Sequence, residues 1–120
     1  MQRYTFEENP TVFGKILRGE IPATVVYEDE YILAFNDIAP KAATHVVIIP
    51  KQHVQGLQDA TEADAALLGR LMVAANRIAE KLGVKEQGYR IITNAGEGAG
   101  QEVPHLHLHL LAGSPHLPGF

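Results

Sequence analysis

The stretch that most constrains the fold of this chain is His105-Leu106-His107-Leu108-His109-Leu110-Leu111. Three histidines alternate with three leucines, which is the pattern of a half-buried β-strand. Successive side chains of a strand point to opposite faces. Leu106, Leu108 and Leu110 are therefore expected to face a core, and His105, His107 and His109 to share the other, open surface. Same-face neighbours on a strand lie about 7 Å apart. Half of the six histidines of the protein fall in this one row.

Such a row has three readings. It can be the solvated face of an antiparallel strand, although Thr, Lys or Glu more commonly fill such faces. It can bind a metal, with neighbouring histidines converging on one ion and a further ligand from His45, His53 or an acid. It can also do chemistry through imidazole itself, as nucleophile and as acid.

The 120 residues suffice for one compact domain. A formal net charge of −4 argues against an electrostatic grip on DNA or RNA. A small anionic ligand would need local donors. The absence of cysteine excludes a disulfide scaffold and fits a reducing compartment. No apolar run approaches a membrane span, and Met1 to Glu8 has no apolar signal core. These features together suggest a cytoplasmic, soluble protein.

Residues 1–9 read as a loose arm. Val12, Phe13, Ile16 and Leu17 have helical spacing and predict a short amphipathic helix ending near Gly19. Thr24 to Glu28 and Tyr31 to Asp37 predict a hairpin in which Tyr31, Leu33, Phe35 and Asp37 share a face. Asp37, at the end of that run, is either a turn former or an acceptor for vicinal hydroxyls. His45 to Ile49 is apolar on both faces and predicts a central strand, where His45 reads as a core histidine. His53 follows in an apparent surface turn. Thr61 to Asp64 resembles a capping box, after which Leu67, Leu68, Leu71, Met72, Ala75, Ile78, Ala79 and Leu82 recur at helical period up to Gly83. The leucine face of the histidine strand is a candidate partner for this helix. Tyr89 to Thr93 predicts a strand. Asn94 to Gln101 is a glycine-rich loop without a P-loop or dinucleotide fingerprint, whose backbone N–H groups can form an anion nest. Residues 112–120 form an irregular tail, and Phe120 is expected to dock.

At His105-x-His107-x-His109-Leu110-Leu111 the chain resembles the histidine triad (HIT) family. Further segments are similar to its Hint-like branch, the purine nucleoside phosphoramidases: Phe13-Gly14-Lys15-Ile16, Glu20-Ile21-Pro22-Ala23, Ala34 to Ile38, Thr44 to Lys51 with His53, and Gly100-Gln101. The resemblance runs from about residue 12 to residue 113. It implies an α+β domain with an antiparallel sheet, one long and one short helix, and a homodimer with a continuous sheet. It implies that His107 attacks the α-phosphorus of a nucleoside phosphoramidate or adenylate, giving a nucleotidyl-histidine that water resolves to the mononucleotide. His109 would contact phosphate and help protonate the leaving group, supported by His105 and His45. Asp37 would read the ribose. Val12, Phe13, Ile16, Ile21, Phe35 and Ile38 would hold the base. Asn94 and Gly100, Gln101 and Glu102 would meet the phosphate and leaving group. No cofactor or metal is implied.

The residue types suit that chemistry. A neutral imidazole attacks through one nitrogen while the other keeps its proton on an acceptor. An amine cannot leave as its anion, and a second histidine in a different protonation state can supply the proton. Two departures from the family pattern fall near the expected leaving group: Glu102 stands where Hint-like proteins often have serine, and the tail has no tryptophan. Competing readings are cleavage of a dinucleoside polyphosphate, nucleotidyl transfer, a metal-binding module, or a fold retained for protein interaction.

Overall fold

The computed structural model describes residues 2–113 and residue 117. Five strands form one antiparallel sheet: β1 (Val25–Glu28), β2 (Ile32–Asn36), β3 (Thr44–Pro50), β4 (Arg90–Ile92) and β5 (Leu108–Ala112), in the order β1-β2-β3-β5-β4. The short helix α1 (Val12–Leu17) precedes the sheet, and the long helix α2 (Ala65–Lys81) lies between β3 and β4. β3 is central, as its apolar run on both faces requires, paired with β2 and β5.

The helix boundaries follow local chemistry. The Thr11 hydroxyl accepts the Gly14 N–H and caps α1. The capping box at Thr61 is present, closed reciprocally by Asp64, and leads through a turn of 3₁₀ helix into α2. Gly83, with φ of 75°, ends α2 in the left-handed region open to glycine.

The period-2 alternation of the sheet sorts its residues into two cores. On one face, Ile32, Ala34, Val46, Ile48, Leu106, Leu108 and Leu110 pack against Leu71, Ala74, Ala75, Ile78 and Ala79 of α2. The leucines of the histidine stretch thus face the long helix, as expected. Met72 departs from the apolar stripe of α2: it and Val73 are more than half exposed. On the other face, Leu33, Phe35, Val47 and Ile49 pack against Phe13 of α1. Tyr31 lies outside β2, with the Arg70 guanidinium 4.0 Å from its ring centre.

Two expectations are corrected by this second core. The histidine face is not an open surface, because α1 and the N-terminal arm cover it: His105 is fully buried and His107 is 7% exposed. Residues 1–9 are not loose as far as they are described. Arg3 makes ion pairs with Asp59 (3.0 Å) and Asp64 (2.9 Å), and Asn9 is buried. Arg3 holds the Asp64 carboxyl well below the usual carboxylate range. Much of the tail, including Phe120, lies outside the described residues.

The regular ladder also begins later than the alternation suggests. β5 starts at Leu108, and His105 to His107 lie before it in irregular chain. Ile48 pairs with Leu108, so the next hydrogen-bonded pair of the ladder, two residues on, would set Leu106 opposite Pro50, which has no N–H to donate. The incoming chain turns away there, and Leu106 N–H donates to the Val54 carbonyl at 2.7 Å instead.

Candidate active site

The register places the histidines. Val47 lies directly opposite His109, and His45 opposite Leu111, so His45 and His109 are diagonal neighbours on one face. Their rings meet with 2.9 Å between His45 Nε2 and His109 Nδ1. His107 continues the row, its ring centre 5.0 Å from that of His109. Phe13 stands edge-on to His107 at 5.0 Å and to His105 at 5.8 Å, with Phe35 5.7 Å behind it.

Each proton position follows from partners that can only donate or only accept. His107 Nδ1 lies 2.7 Å from the His105 carbonyl, so it carries the proton and leaves Nε2 as a bare lone pair. His105 Nε2 donates to the Pro50 carbonyl at 2.8 Å, so its Nδ1 accepts from the Asn9 amide at 3.0 Å. His45 Nδ1 accepts the Lys41 backbone N–H at 3.0 Å, so its proton is on Nε2 and points at His109 Nδ1. His109 Nδ1 is thereby an acceptor, and the His109 proton sits on Nε2. The row therefore presents a lone pair on His107 beside an N–H on His109.

Burial sets the protonation. Desolvation pushes His105 down to about 4 against the favourable bond to Pro50, and pushes His107 down against its bond to the His105 carbonyl. Desolvation, then the neighbouring His107 and His45, push His109 down to about 4. His45 is lowered mainly by burial, so its 3.4 Å approach to Asp37 is a close contact of a neutral ring rather than an ion pair, its N–H being directed at His109. All four rings are therefore neutral at pH 7. The expected difference in protonation between two neighbouring histidines is replaced by a difference in tautomer.

The remaining candidate residues divide. Asp37 stands beside His45, its other oxygen accepting the Ala39 N–H at 2.7 Å, so it is a turn former as well as a neighbour of the triad. Phe13 walls His107 and is backed by Phe35. Val12 is exposed and Ile38 is 99% exposed, so neither closes a pocket in the single chain. Ile16 and Ile21 line a cavity of about 340 Å³ with Phe6, Val25 and Leu33, which no triad histidine lines. Asn94 is half-buried and follows Thr93, whose hydroxyl donates to the His107 carbonyl at 2.8 Å.

The glycine-rich loop is not an open nest. Gly100 N–H donates to Glu97 and Gln101 N–H to Gly96. The Gln101 side chain accepts from Gly96 and donates to the Gln55 and Val103 carbonyls, so it ties the loop together and is not free for phosphate. Glu102 is exposed, and among the described residues its carboxylate has no hydrogen-bond or ion-pair partner.

Sequence reasoning missed Asn9, Thr93 and His53. His53 is not a surface residue: it is 4% exposed, accepts the Tyr4 N–H at 3.1 Å and donates to the Pro104 carbonyl at 2.8 Å. The one available signal was that a histidine in a turn between Pro50 and Val54 lies in an apolar neighbourhood.

As a metal centre the site fits poorly. Asp37, His45 and His109 each place a ligand atom within 4.8 Å of the others. The atom His45 turns toward that point, however, carries its proton, and its lone pair is spent on the Lys41 N–H. A metal there would require both nitrogens of His45 to exchange partners.

Comparison with known proteins agrees with this architecture. The family model "HIT domain" matches residues 18–116. A HIT family hydrolase from Clostridium thermocellum superposes with a TM-score of 0.87 at 48% identity, covering 92% of this chain and 96% of its own. One from Legionella pneumophila gives 0.84 at 50% identity, covering 87% and 93%. The chain belongs to the HIT family. A protein of Escherichia coli named purine nucleoside phosphoramidase is 46% identical over 105 residues, 88% of each chain. An uncharacterised HIT-like protein of Synechococcus elongatus is 52% identical over 103 residues, 86% of this chain and 90% of its own.

Proposed function

We propose that this HIT-family hydrolase cleaves the P–N bond of purine nucleoside 5′-phosphoramidates, or the P–O bond of aminoacyl-adenylate-type substrates, through a nucleotidyl intermediate on His107. The observation that carries the reading is the bare Nε2 lone pair of His107 beside the Nε2–H of His109. A nucleophile and a donor about one phosphoryl group apart are what in-line displacement needs. The similarity to the phosphoramidase of Escherichia coli supports the choice of bond.

The steps follow from the tautomers. His107 Nε2 attacks the α-phosphorus, and the positive charge that develops on its ring strengthens the Nδ1–H bond to the His105 carbonyl. The anionic substrate phosphate against His109 raises that ring toward its protonated form, and the His45 N–H swings to Asp37, already 3.4 Å away. The departing nitrogen takes a proton from His109 and leaves as a neutral amine. Water then attacks phosphorus from the vacated side, releasing AMP or GMP and returning His107 to its lone-pair form. No cofactor enters this scheme.

Asp37 is assigned to the ribose hydroxyls, Phe13 and Phe35 to one face of the base, and Ile16, Ile21, Val12 and Ile38 to its rim. Asn94 and the Gly100–Glu102 segment are assigned to the leaving-group side, with Glu102 favouring cationic amines as a carboxylate that has no partner among the described residues. We further assign the active form as a homodimer whose sheet continues across two copies of β4. The β4 edge lies beside the exposed Met72 and Val73, since Tyr89 just before β4 bonds Asn76 of α2 at 2.8 Å. Light scattering showing a stable active monomer would refute this. A cytoplasmic location suits a chain without cysteine. No helix among the described residues is long and apolar enough to cross a membrane.

The test is product analysis with adenosine 5′-phosphoramidate and a dinucleoside polyphosphate at equal concentration. Faster release of AMP from the phosphoramidate supports the reading. Preferential cleavage of the polyphosphate would transfer the same site to the alternative HIT activity, and a nucleotidylated product on an added acceptor would indicate nucleotidyl transfer.

A further inference from the structure

The nucleophile is held at second hand, and the last link lies 96 residues away in the sequence. Asn9 is 2% exposed and has every polar atom occupied. Its Oδ1 accepts from the Thr11 backbone N–H at 3.1 Å and from the Thr11 hydroxyl at 2.8 Å. A backbone N–H can only donate, so this contact fixes which end of the amide is oxygen. The Thr11 hydroxyl is itself oriented, because its oxygen already accepts the Gly14 N–H at 3.1 Å. The Asn9 NH₂ is thus obliged to point at His105 Nδ1, and the Asn9 carbonyl is tied to Arg18 at 2.8 Å. Gly14 packs so close that a Cβ there would fall 2.5 Å from Asn9, which keeps the amide from retreating.

The first bonds run one way: Gly14 N–H to Thr11 hydroxyl, hydroxyl to Asn9, Asn9 NH₂ to His105 Nδ1. His105 Nε2–H then goes to the Pro50 carbonyl, and the His105 carbonyl receives His107 Nδ1–H. We propose that Asn9 is a positioning residue for catalysis: its NH₂ locks His105 in the Nε2–H tautomer, and the clamped His105 holds the carbonyl that keeps the His107 proton on Nδ1. This assignment rests on His107 being the nucleophile, although the tautomer it predicts does not. Without the Asn9 donor, the buried His105 Nδ1 loses its partner, and the ring can turn or take its proton on Nδ1. The His105 carbonyl then shifts, and His107 can carry its proton on Nε2, where it cannot attack.

The experiment uses full-length Asn9→Ala and Asn9→Asp with ¹⁵N-labelled histidine. Imidazole nitrogen shifts report the tautomer directly. In the wild type, His105 is expected as the Nε2–H form and His107 as the Nδ1–H form. Asn9→Asp keeps the acceptor for Thr11 but offers His105 an acceptor in place of a donor, so His105 is expected protonated on Nδ1. Asn9→Ala is expected to give His105 and His107 signals of mixed tautomer. Both variants should lower the single-turnover rate by about 10- to 100-fold, the cost of small misplacement of a reacting group, with KM little changed. Circular dichroism identifies a variant that does not fold, and an Asn9→Ser substitution, which keeps a small donor, then takes its place. Wild-type tautomers in the folded variants, or altered tautomers with an unchanged single-turnover rate, would overturn the proposal. A wild type with the expected tautomers but no phosphoramidase activity would instead refute the reaction assigned above.

Discussion

The two faces of the sheet are built from the same alternating strands and have opposite contents. The face under α2 is aliphatic, with Ile32, Val46, Ile48, Leu106 and Leu110 at 1% exposure or less. Its contacts are non-directional and its energy scales with area removed from water. The face under α1 carries His45, His105, His107 and His109 among Phe13, Phe35 and Val47, and its buried polar atoms are paired in an ordered network. One face holds the sheet in place. The other uses that rigidity to fix where each imidazole proton sits, at the cost of burying titratable rings.

The contrast predicts a separation of effects, largest first. Removing the proposed nucleophile by His107→Ala is expected to cost several orders of magnitude in phosphoramidate turnover. Stability should fall by about 1–3 kcal/mol, since one hydrogen bond and the packing of a buried ring are lost. A variant that keeps more than about a tenth of the rate is incompatible with the role assigned to His107. On the other face, Leu110→Ala should cost about 2–5 kcal/mol in urea unfolding, while kcat of the folded fraction stays near wild type. Equal losses of rate and stability in both variants would erase the distinction between the faces.

A pH titration sharpens the comparison. The lowered values of His45, His105, His107 and His109 mean that below about 6.5 the unfolded chain takes up protons the folded chain refuses. The stability these rings contribute is complete above about pH 6.5 and is lost progressively toward pH 4, where His105 and His109 titrate in the folded state. The melting temperature is expected to drop by about 5 °C or more between pH 7 and pH 5. His109→Asn should flatten that slope, and Leu110→Ala should leave it unchanged. A flat profile in the wild type would show that the histidine face is solvated.

The smallest expected effect concerns Asp37, at the edge of the histidine face. Asp37→Ala should weaken ribonucleotide binding by about 1.5–3 kcal/mol, the range of charged hydrogen bonds, and affect a dideoxy analogue far less. Equal weakening of both would show that Asp37 acts through the turn at Ala39 and through His45, both of which it touches.

The sheet was legible because period-2 alternation encodes faces directly: the leucines of β5 and the apolar run of β3 lie where their pattern puts them. The long helix was legible from its 3.6 period and its capping box. Alternation says which residues share a face but not what covers it, so the burial of His105 under Asn9 and Phe13 was invisible. Asn9-Pro10 has no periodicity, and its partner is 96 residues distant. The late start of β5 was hidden for a related reason, since it depends on a missing donor at Pro50 in another strand. The histidine row itself was legible as chemistry from residue type and spacing. The tautomers were not, because they depend on the Lys41 N–H, the Pro50 carbonyl and the Asn9 amide, which arrive from three other segments.

The central claim is that buried, neutral tautomers leave His107, and not its neighbours, with an attacking lone pair. It is tested most directly by acid-free quenching of the enzyme during turnover of adenosine 5′-phosphoramidate, followed by peptide mass spectrometry. The account predicts one nucleotidyl group on His107, formed as fast as the amine is released and absent from His107→Ala. An adduct on His109 or His45, or rapid turnover with no adduct under conditions that preserve phosphohistidine, would contradict it.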